Sequence, residues 1–484
     1  MNQPLNRRRF LFRLGSGLTG VALASLVARD TFASSGWQPP DGKPHFRPKA
    51  KSVIWLFMIG GASHVETFDP KPALNKYAGK SIADTPLPRE ILDPSFIKDN
   101  IRTLVLDGRK VRTKLFPLQV GYRKRGQSGI EVSDWFPHVG DCIDDIAVIR
   151  SMWTDDIDHG AQLQFHTGRN RLDGFFPTIG SWVHYGLGSL NENLPQFVVL
   201  GRPIADCCGG NEAHRANYLG PQHDGVPLAV DPSNPLPFVR PEKAVFLEEQ
   251  SSEFRLLRQL SRLSAEQYPD DDDLRARIKS YELAFRMQSA VPDVFRFGEE
   301  NAETHRLYGL DEATTRPFGQ TLLAARRLVE RGVRFVQVYH GGTGNAGAWD
   351  AHSNLKTNHS RNCAQVDKPI AGLLKDLKQR GLLDETIVVW ATEFGRTPGA
   401  ERSNGRDHHP FGFSVWMAGG GIKGGIVHGA TDEIGFHAVE NRHYVSDIHA
   451  TLLHQLGLDP HRLAVPGRKR LEFEIGKPIR EILS

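Results

Sequence analysis

Apolar runs of five to eight residues recur along the chain at 52–59, 146–152, 196–200, 333–339, 387–391 and 413–418. They are apolar at nearly every position, not at every second one, which predicts strands buried on both faces. The first ends at Gly60-Gly61, as a buried parallel strand feeding a tight loop would. Between the later runs the period changes to that of a helix. Over 362–380 the residues Val366, Ile370, Leu373, Leu374 and Leu377 make one stripe, and Gly381 ends it. Further helices are expected over 321–331 and 447–456.

Strand and helix in alternation predict an α/β fold, a doubly wound and mostly parallel sheet flanked by helices. Residues 241–294 interrupt it with a charged, mainly helical stretch, read as an inserted hairpin whose turn is the acidic run 270–273. That run lacks the alternation and the closing Gly and Glu of a calcium-binding loop.

The N-terminus has a different pattern. Asn6-Arg7-Arg8-Arg9-Phe10-Leu11 is a twin-arginine motif, followed by a weakly apolar stretch over 14–28 and a small-residue exit at Thr31-Phe32-Ala33-Ser34. Residues 1–33 are therefore expected to be a Tat signal peptide, with the Tat export machinery as a partner and a periplasmic or extracellular destination. An uncleaved signal would tether the chain to the membrane. A proline-rich, basic linker follows over 34–50, and 51–484 is expected to be a single domain containing the insertion. After signal removal no transmembrane domain is expected.

Charge changes little in this picture. The formal charge of +4 is carried by the first 33 residues, which hold five arginines and one aspartate, and the remainder is neutral. Nucleic acid is not an expected partner. Four cysteines in 484 residues are too few for a disulfide framework, and the vicinal Cys207-Cys208 are read as ordinary loop cysteines.

The candidate chemistry lies in three segments beside strand-like runs: Trp349-Asp350-Ala351-His352, Thr392-Glu393-Phe394-Gly395-Arg396-Thr397-Pro398 and Gly405-Arg406-Asp407-His408-His409-Pro410. Carboxylate and imidazole ligands suit a divalent metal, with zinc, manganese, iron or calcium as candidates. Loops at the carboxyl ends of parallel strands converge on one crevice, so sequence separation is no obstacle. Asp350, His352, Glu393, His408 and His409 are the expected ligands, with Asp407 orienting an imidazole. Asp350 alone would read as a helix cap and His352 as a surface imidazole. Arg396 and Arg406 suit a clamp on an anionic ester, or else hold Glu393 or Asp407 in position.

Seven segments together carry a resemblance: VIWLFMIGGASHVETFDPKP from Val53, HGAQLQFHTGR, GSWVHYGLGS, WDAHSNL, TEFGRTP, GRDHHP and GGGIKGGIVHGATD. In this order they resemble the Tat-exported, sulfatase-like domain of unknown function family 1501, grouped with the alkaline-phosphatase-like superfamily. The resemblance runs from Lys51 to Ser484 and implies an alkaline-phosphatase/sulfatase-like fold. It also implies a metal-binding Asp and His pair at Asp350 and His352, an oxygen ligand at Glu393, and a final imidazole at His408 or His409. Phe394 stands where the superfamily has a histidine. The first strand exits into glycine where the superfamily has an acidic ligand, for which Glu66 or Asp69 would compensate.

The sulfatase nucleophile is a Cys or Ser about nine residues before a Thr-Gly pair. Here the pair is Thr167-Gly168, and the matching position is Asp158, next to His159. Formylglycine chemistry is therefore not expected; Asp158 or His159 would attack the ester or ligate metal. Ser63 would bind an oxyanion, or is a turn serine. The expectation is an exported metal-dependent hydrolase of sulfate or phosphate esters, with an anionic ester or sulfated glycan as substrate and zinc, manganese or calcium as cofactor. The alternative is a non-catalytic scaffold of the same fold that binds a glycan or an envelope partner.

Overall fold

Ser52–Met58 (β1) is buried at every position and lies in the middle of a nine-stranded sheet. Its alternate residues feed two cores. Ile54, Leu56 and Met58 pack into one, and Val53, Trp55 and Phe57 into the other, so the uninterrupted apolar run is what a strand covered on both faces requires.

The computed structural model describes residues 40–484 apart from 88–89, 94, 105–109, 204–205, 236–245, 269–270, 343–346 and 469–474. The expected signal peptide, the linker as far as residue 39, the first residues of the insertion and Asp270 lie outside the described residues.

The other strands of this sheet and of the hairpin beside it are β2 (Ile146–Trp153), β3 (Phe197–Leu200), β4 (Val226–Leu228), β5 (Phe335–His340), β6 (Thr386–Ala391), β7 (Gly395–Glu401), β8 (Gly405–His409), β9 (Phe413–Ala418), β10 (Ile426–His428) and β11 (His443–Tyr444). The central sheet has the order β10-β2-β9-β6-β1-β5-β3-β4, with β11 beside β2. Its pairings are parallel except those of β9, which runs antiparallel to both β6 and β2. Strands β7 and β8 form a separate antiparallel hairpin between β6 and β9.

The α-helices of seven or more residues are α1 (Ala161–Thr167), α2 (Ile179–Leu187), α3 (Leu247–Gln267), α4 (Asp272–Val294), α5 (Arg316–Glu330), α6 (Leu355–Gln379) and α7 (Val445–Gln455). Leu322 and Leu328 of α5 and Ile370 and Leu374 of α6 cover one face of the sheet. Trp182 of α2 and Ile448 and Leu452 of α7 cover the other. The result is a mixed, mostly parallel sheet flanked by helices.

Two helices begin earlier than their apolar stripes predict. Helix α5 starts at Arg316 because Pro317 fits the first turn. Helix α6 starts at Leu355, and its first turns bury polar groups: the Asn362 side chain donates to the Ala348 carbonyl at 2.7 Å, and His359 Nε2 accepts the Ser63 N–H at 3.0 Å. A hydrophobic pattern cannot register a turn buried by hydrogen bonds.

The β1 exit needs its glycines. Gly60 and Gly61 have φ of +119° and +84°, and a Cβ on Gly60 would lie 2.5 Å from the Asp350 nitrogen. Among the described residues no helix is long and apolar enough to cross a membrane, and Cys142 and Cys363 are buried free thiols.

Candidate metal centre

Four side chains from three segments meet beyond the carboxyl ends of the parallel strands. His159 follows β2, Asp350 and His352 follow β5, and His408 comes from β8 of the hairpin after β6. The Asp350 carboxylate is the hub. Its Oδ1 lies 3.1 Å from His352 Nε2 and 3.2 Å from His408 Nε2, and its Oδ2 lies 3.6 Å from His159 Nε2.

The other nitrogen of each imidazole is already committed. His159 Nδ1 donates to Glu393 Oε1 at 3.0 Å, His408 Nδ1 donates to the Ile157 carbonyl at 2.7 Å, and His352 Nδ1 donates to the Glu401 carboxylate. An imidazole whose Nδ1–H is bound to an oxygen presents its Nε2 lone pair as a ligand, the usual arrangement around protein-bound metals. The Nε2 atoms of His352 and His408 are 3.0 Å apart. Two overlapping trios have ligand atoms close enough for an ion, His159-Asp350-His408 and His352-Asp407-His408. The donor set fits a divalent metal.

The electrostatics are those of a concentrated charge cluster. Burial opposes ionisation of Asp350, but Arg396 and the three imidazoles outweigh it and hold its carboxyl well below the usual range. Burial likewise opposes protonation of His159, yet Asp350 and Glu393 push its pKa up to about 9. For His352, Asp350 and Glu401 overcome burial and raise it. His408 is fully buried, and desolvation pulls it down to about 3 against its hydrogen bond to Asp350. Phe394 makes an apolar wall, its ring centroid 4.4 Å from that of His408 and 5.5 Å from that of His159.

Several expected site residues lie elsewhere or do other work. Glu393 backs His159 and accepts the Gly60 N–H at 2.8 Å and the Thr392 hydroxyl at 3.2 Å, so it orients an imidazole. His409 is turned away, donating from Nε2 to the Phe436 carbonyl at 2.6 Å. Asp69 is buried against Lys71 at 3.0 Å and Arg150 at 3.7 Å. The Ser63 hydroxyl donates to Glu66, and Glu66 is paired with Arg406 at 2.7 Å. Arg406 also donates to the carbonyls of Thr397 and Pro398 and has no exposed surface; it is a scaffold pin, out of reach of an ester.

Arg396 is buried too, donating to the Gly61 carbonyl at 2.8 Å and to Asp350 Oδ1 at 2.7 Å. It clamps the Asp350 carboxylate, where the sequence offered either an anionic ester or Glu393 or Asp407 as its partner. Asp158 accepts from the Thr103 hydroxyl at 2.8 Å and lies 3.6 Å from Arg171.

Two residues escaped the sequence reading. Glu401 holds His352, and Arg112 ties Glu401 at 2.7 Å to Asp407 at 2.8 Å. Glu401 sits in a run of turn-like residues, and no spacing marks it. Its one signal is being a carboxylate at the end of a strand that leads out of the Glu393 loop.

No curated protein matches the sequence. The fold is similar to solved structures at low identity. They include the lipoteichoic acid synthase LtaP from Listeria monocytogenes (9% identity, 88% of this chain and 76% of that chain covered, TM-score 0.35). Others are the PsFucS1 sulfatase from Pseudoalteromonas sp. (13%, 92% and 72%, TM-score 0.33) and the phosphonate monoester hydrolase SpPMH from Silicibacter pomeroyi (12%, 90% and 76%, TM-score 0.37). A family model described as a protein of unknown function (DUF1501) matches residues 50–483, and with nearly every described residue inside that match the chain belongs to the DUF1501 family.

Proposed function

We propose that this chain is an exported metal-dependent hydrolase of sulfate or phosphate esters. One observation carries the reading: three imidazoles, each held through Nδ1, direct Nε2 at the Asp350 carboxylate. Asp350, His159, His352 and His408 would hold the ion. Three nitrogens and an oxygen favour zinc or manganese over calcium, which prefers oxygen donors. A bound ion would polarise an ester oxygen and lower the pKa of bound water. The protein's own part is orientation. Glu393, Glu401 and the Ile157 carbonyl fix the three rings, Arg396 fixes Asp350 through the β1 loop, and Phe394 excludes water from one side.

His352 is the most open of the imidazoles, its side chain 29% exposed against 4% for His408, so substrate would approach from its side. Asp158, held by Thr103 and Arg171, is assigned to the approach and not to ligation. A sulfated glycan is one ester of the right charge. Export rests on the twin-arginine motif and the signal pattern at the N-terminus.

A second reading has its own observation. The Arg396 guanidinium already sits 2.7 Å from Asp350 Oδ1 and has no exposed surface, so one cation occupies the hub. This favours a metal-free scaffold that binds a glycan or an envelope partner.

Metal analysis of the purified protein by inductively coupled plasma mass spectrometry, beside a His352→Ala/His408→Ala variant, separates the two. Near-stoichiometric metal that is lost in the variant, together with turnover of p-nitrophenyl sulfate or phosphate, is the expected result. A metal-free, inactive wild type sinks the hydrolase.

A further inference from the structure

A cavity of about 600 Å³ adjoins the loop between β2 and α1, the same loop that carries His159. Asp155 of that loop lines the cavity, whereas His159, four residues on, faces Asp350. Four residues reach no further than about 14 Å, so the cavity and the metal centre are neighbours. Its volume is that of a small-molecule site, and none of the metal-centre residues lines it.

Its walls are of two kinds. Trp153 and Tyr444 are register partners on β2 and β11, and their rings stand 5.0 Å apart at 60°, making an aromatic corner. Arg442, which is outside the lining, lies over the Trp153 ring at 4.8 Å and holds it. The polar part comes from Asp155, Asp173 and Asp447. Each of these carboxylates is fixed by its own partners. Asp155 accepts from the Asn170 amide at 3.2 Å and from the Tyr444 hydroxyl at 3.3 Å. Asp173 pairs with Arg102 at 2.5 Å, and Asp447 accepts the Lys477 N–H at 2.8 Å. The Lys477 side chain stands exposed at the rim.

These walls select the ligand. A carboxylate only accepts hydrogen bonds and has about four lone-pair sites, so three of them call for a ligand rich in O–H or N–H donors. They also repel phosphate, sulfate and nucleotides. An acyl chain would suit the rings and leave the carboxylates unanswered. A sugar ring satisfies both, with an apolar C–H face for an aromatic wall and hydroxyls at its edge for preset carboxylate, amide and ammonium groups.

We infer that this cavity binds a saccharide through unsubstituted hydroxyls, with Trp153 and Tyr444 as the stacking corner and Asp155, Asp173, Asp447 and Lys477 as the hydrogen-bonding edge. The inference concerns binding alone and holds under either reading of the metal centre. Under the hydrolase reading the cavity holds the part of the substrate next to the ester.

The test is binding of the labelled full chain to an array of neutral, N-acetylated and sulfated oligosaccharides, followed by isothermal titration with the best-bound unsulfated one. Binding to an unsulfated oligosaccharide is expected, weakened about tenfold in Trp153→Ala and about fivefold in Lys477→Ala. Thermal melting checks the fold of both variants, and Lys477, being exposed, can be truncated without disturbing the core. An array on which nothing binds overturns the inference, and so does binding confined to sulfated glycans. Affinities within twofold of wild type in both variants also overturn it and put the sugar elsewhere. Because the readout is binding, a metal-free and inactive protein can still pass, so failure of the hydrolase reading is told apart from failure here.

Discussion

Glu393 accepts the Nδ1–H of His159 at 3.0 Å, across 234 positions of sequence. The contact joins the loop after β6 to the loop after β2. It settles which nitrogen of His159 faces Asp350, and it keeps a negative charge behind a ring whose other edge meets a second one. Carboxylates placed behind ligating imidazoles raise their basicity and fix their orientation.

Glu393→Gln keeps the volume and an acceptor oxygen but removes that charge. We expect metal affinity to fall about 10–100-fold, with a thermal melt close to wild type. Isothermal titration with zinc, run beside calorimetry of the metal-free protein, measures both. An affinity within twofold of wild type would show that Glu393 does not act through His159.

Metal affinity should also depend on pH. In the metal-free protein His159 holds its proton up to about pH 9, and ligation must displace it. Each unit of pH below that value should weaken apparent binding by up to about tenfold for this one proton. The sign is fixed, since affinity rises as pH rises through the neutral range. Competition against a chelator of known proton dependence reads the slope, and a flat profile would mean that His159 is not a ligand.

Arg406 and Glu66 form an ion pair with no exposed surface on either side. Removing one partner leaves the other charged and buried, so Arg406→Met should destabilise the fold by about 3–5 kcal/mol. Below the unfolding transition the metal centre should still fill. Urea denaturation and metal analysis on one sample give the two answers. Loss of metal without loss of stability would instead put Arg406 at the site.

His184 of α2 and His223 face each other, ring centroids 4.7 Å apart. Burial pulls the first down to about 3 and the second to about 4. The unfolded chain takes up these protons near pH 6.5, while the folded chain takes them up only near pH 3 to 4. Stability should therefore be full above pH 6.5 and fall as pH drops toward 4, by up to about 1.4 kcal/mol per unit for each group. The double variant His184→Gln/His223→Gln should flatten that part of the curve in denaturation series from pH 7 to about pH 4. An unchanged slope would place the sensitivity elsewhere.

Strands β1, β2, β3, β5, β6 and β9 were legible in sequence because they are buried on both faces, which writes β-branched and aromatic residues at nearly every position, whereas β4, β10, β11 and the β7–β8 hairpin, short or rich in polar residues, were not. The imidazoles at 352 and 408 and the carboxylate at 350 were legible because they follow or flank such runs. The placing of His409 was not, although the physics was available: neighbours on a strand point to opposite faces, so His408 and His409 of β8 could not both enter one cluster. Glu401 and Arg112 were illegible for a different reason. Their partners are set by how the hairpin folds over the crevice, and nothing local to either residue encodes that.

Strand β9 runs against both of its neighbours, and this reversal has a consequence for how the molecule can change over time. The chain leaves β6 and returns into β9 at the same end of these two inner strands, so Glu393, Arg396, Glu401, Asp407 and His408 belong to one excursion. Its two ends stand on adjacent strands, about 4.8 Å apart. Such a segment behaves as a cassette. It can be rewritten around the site while Trp390 and Trp416 remain paired across β6 and β9, so long as Arg406 and its buried partner Glu66 are kept or replaced together. In this architecture the chemistry can be lost or exchanged without the scaffold being rebuilt.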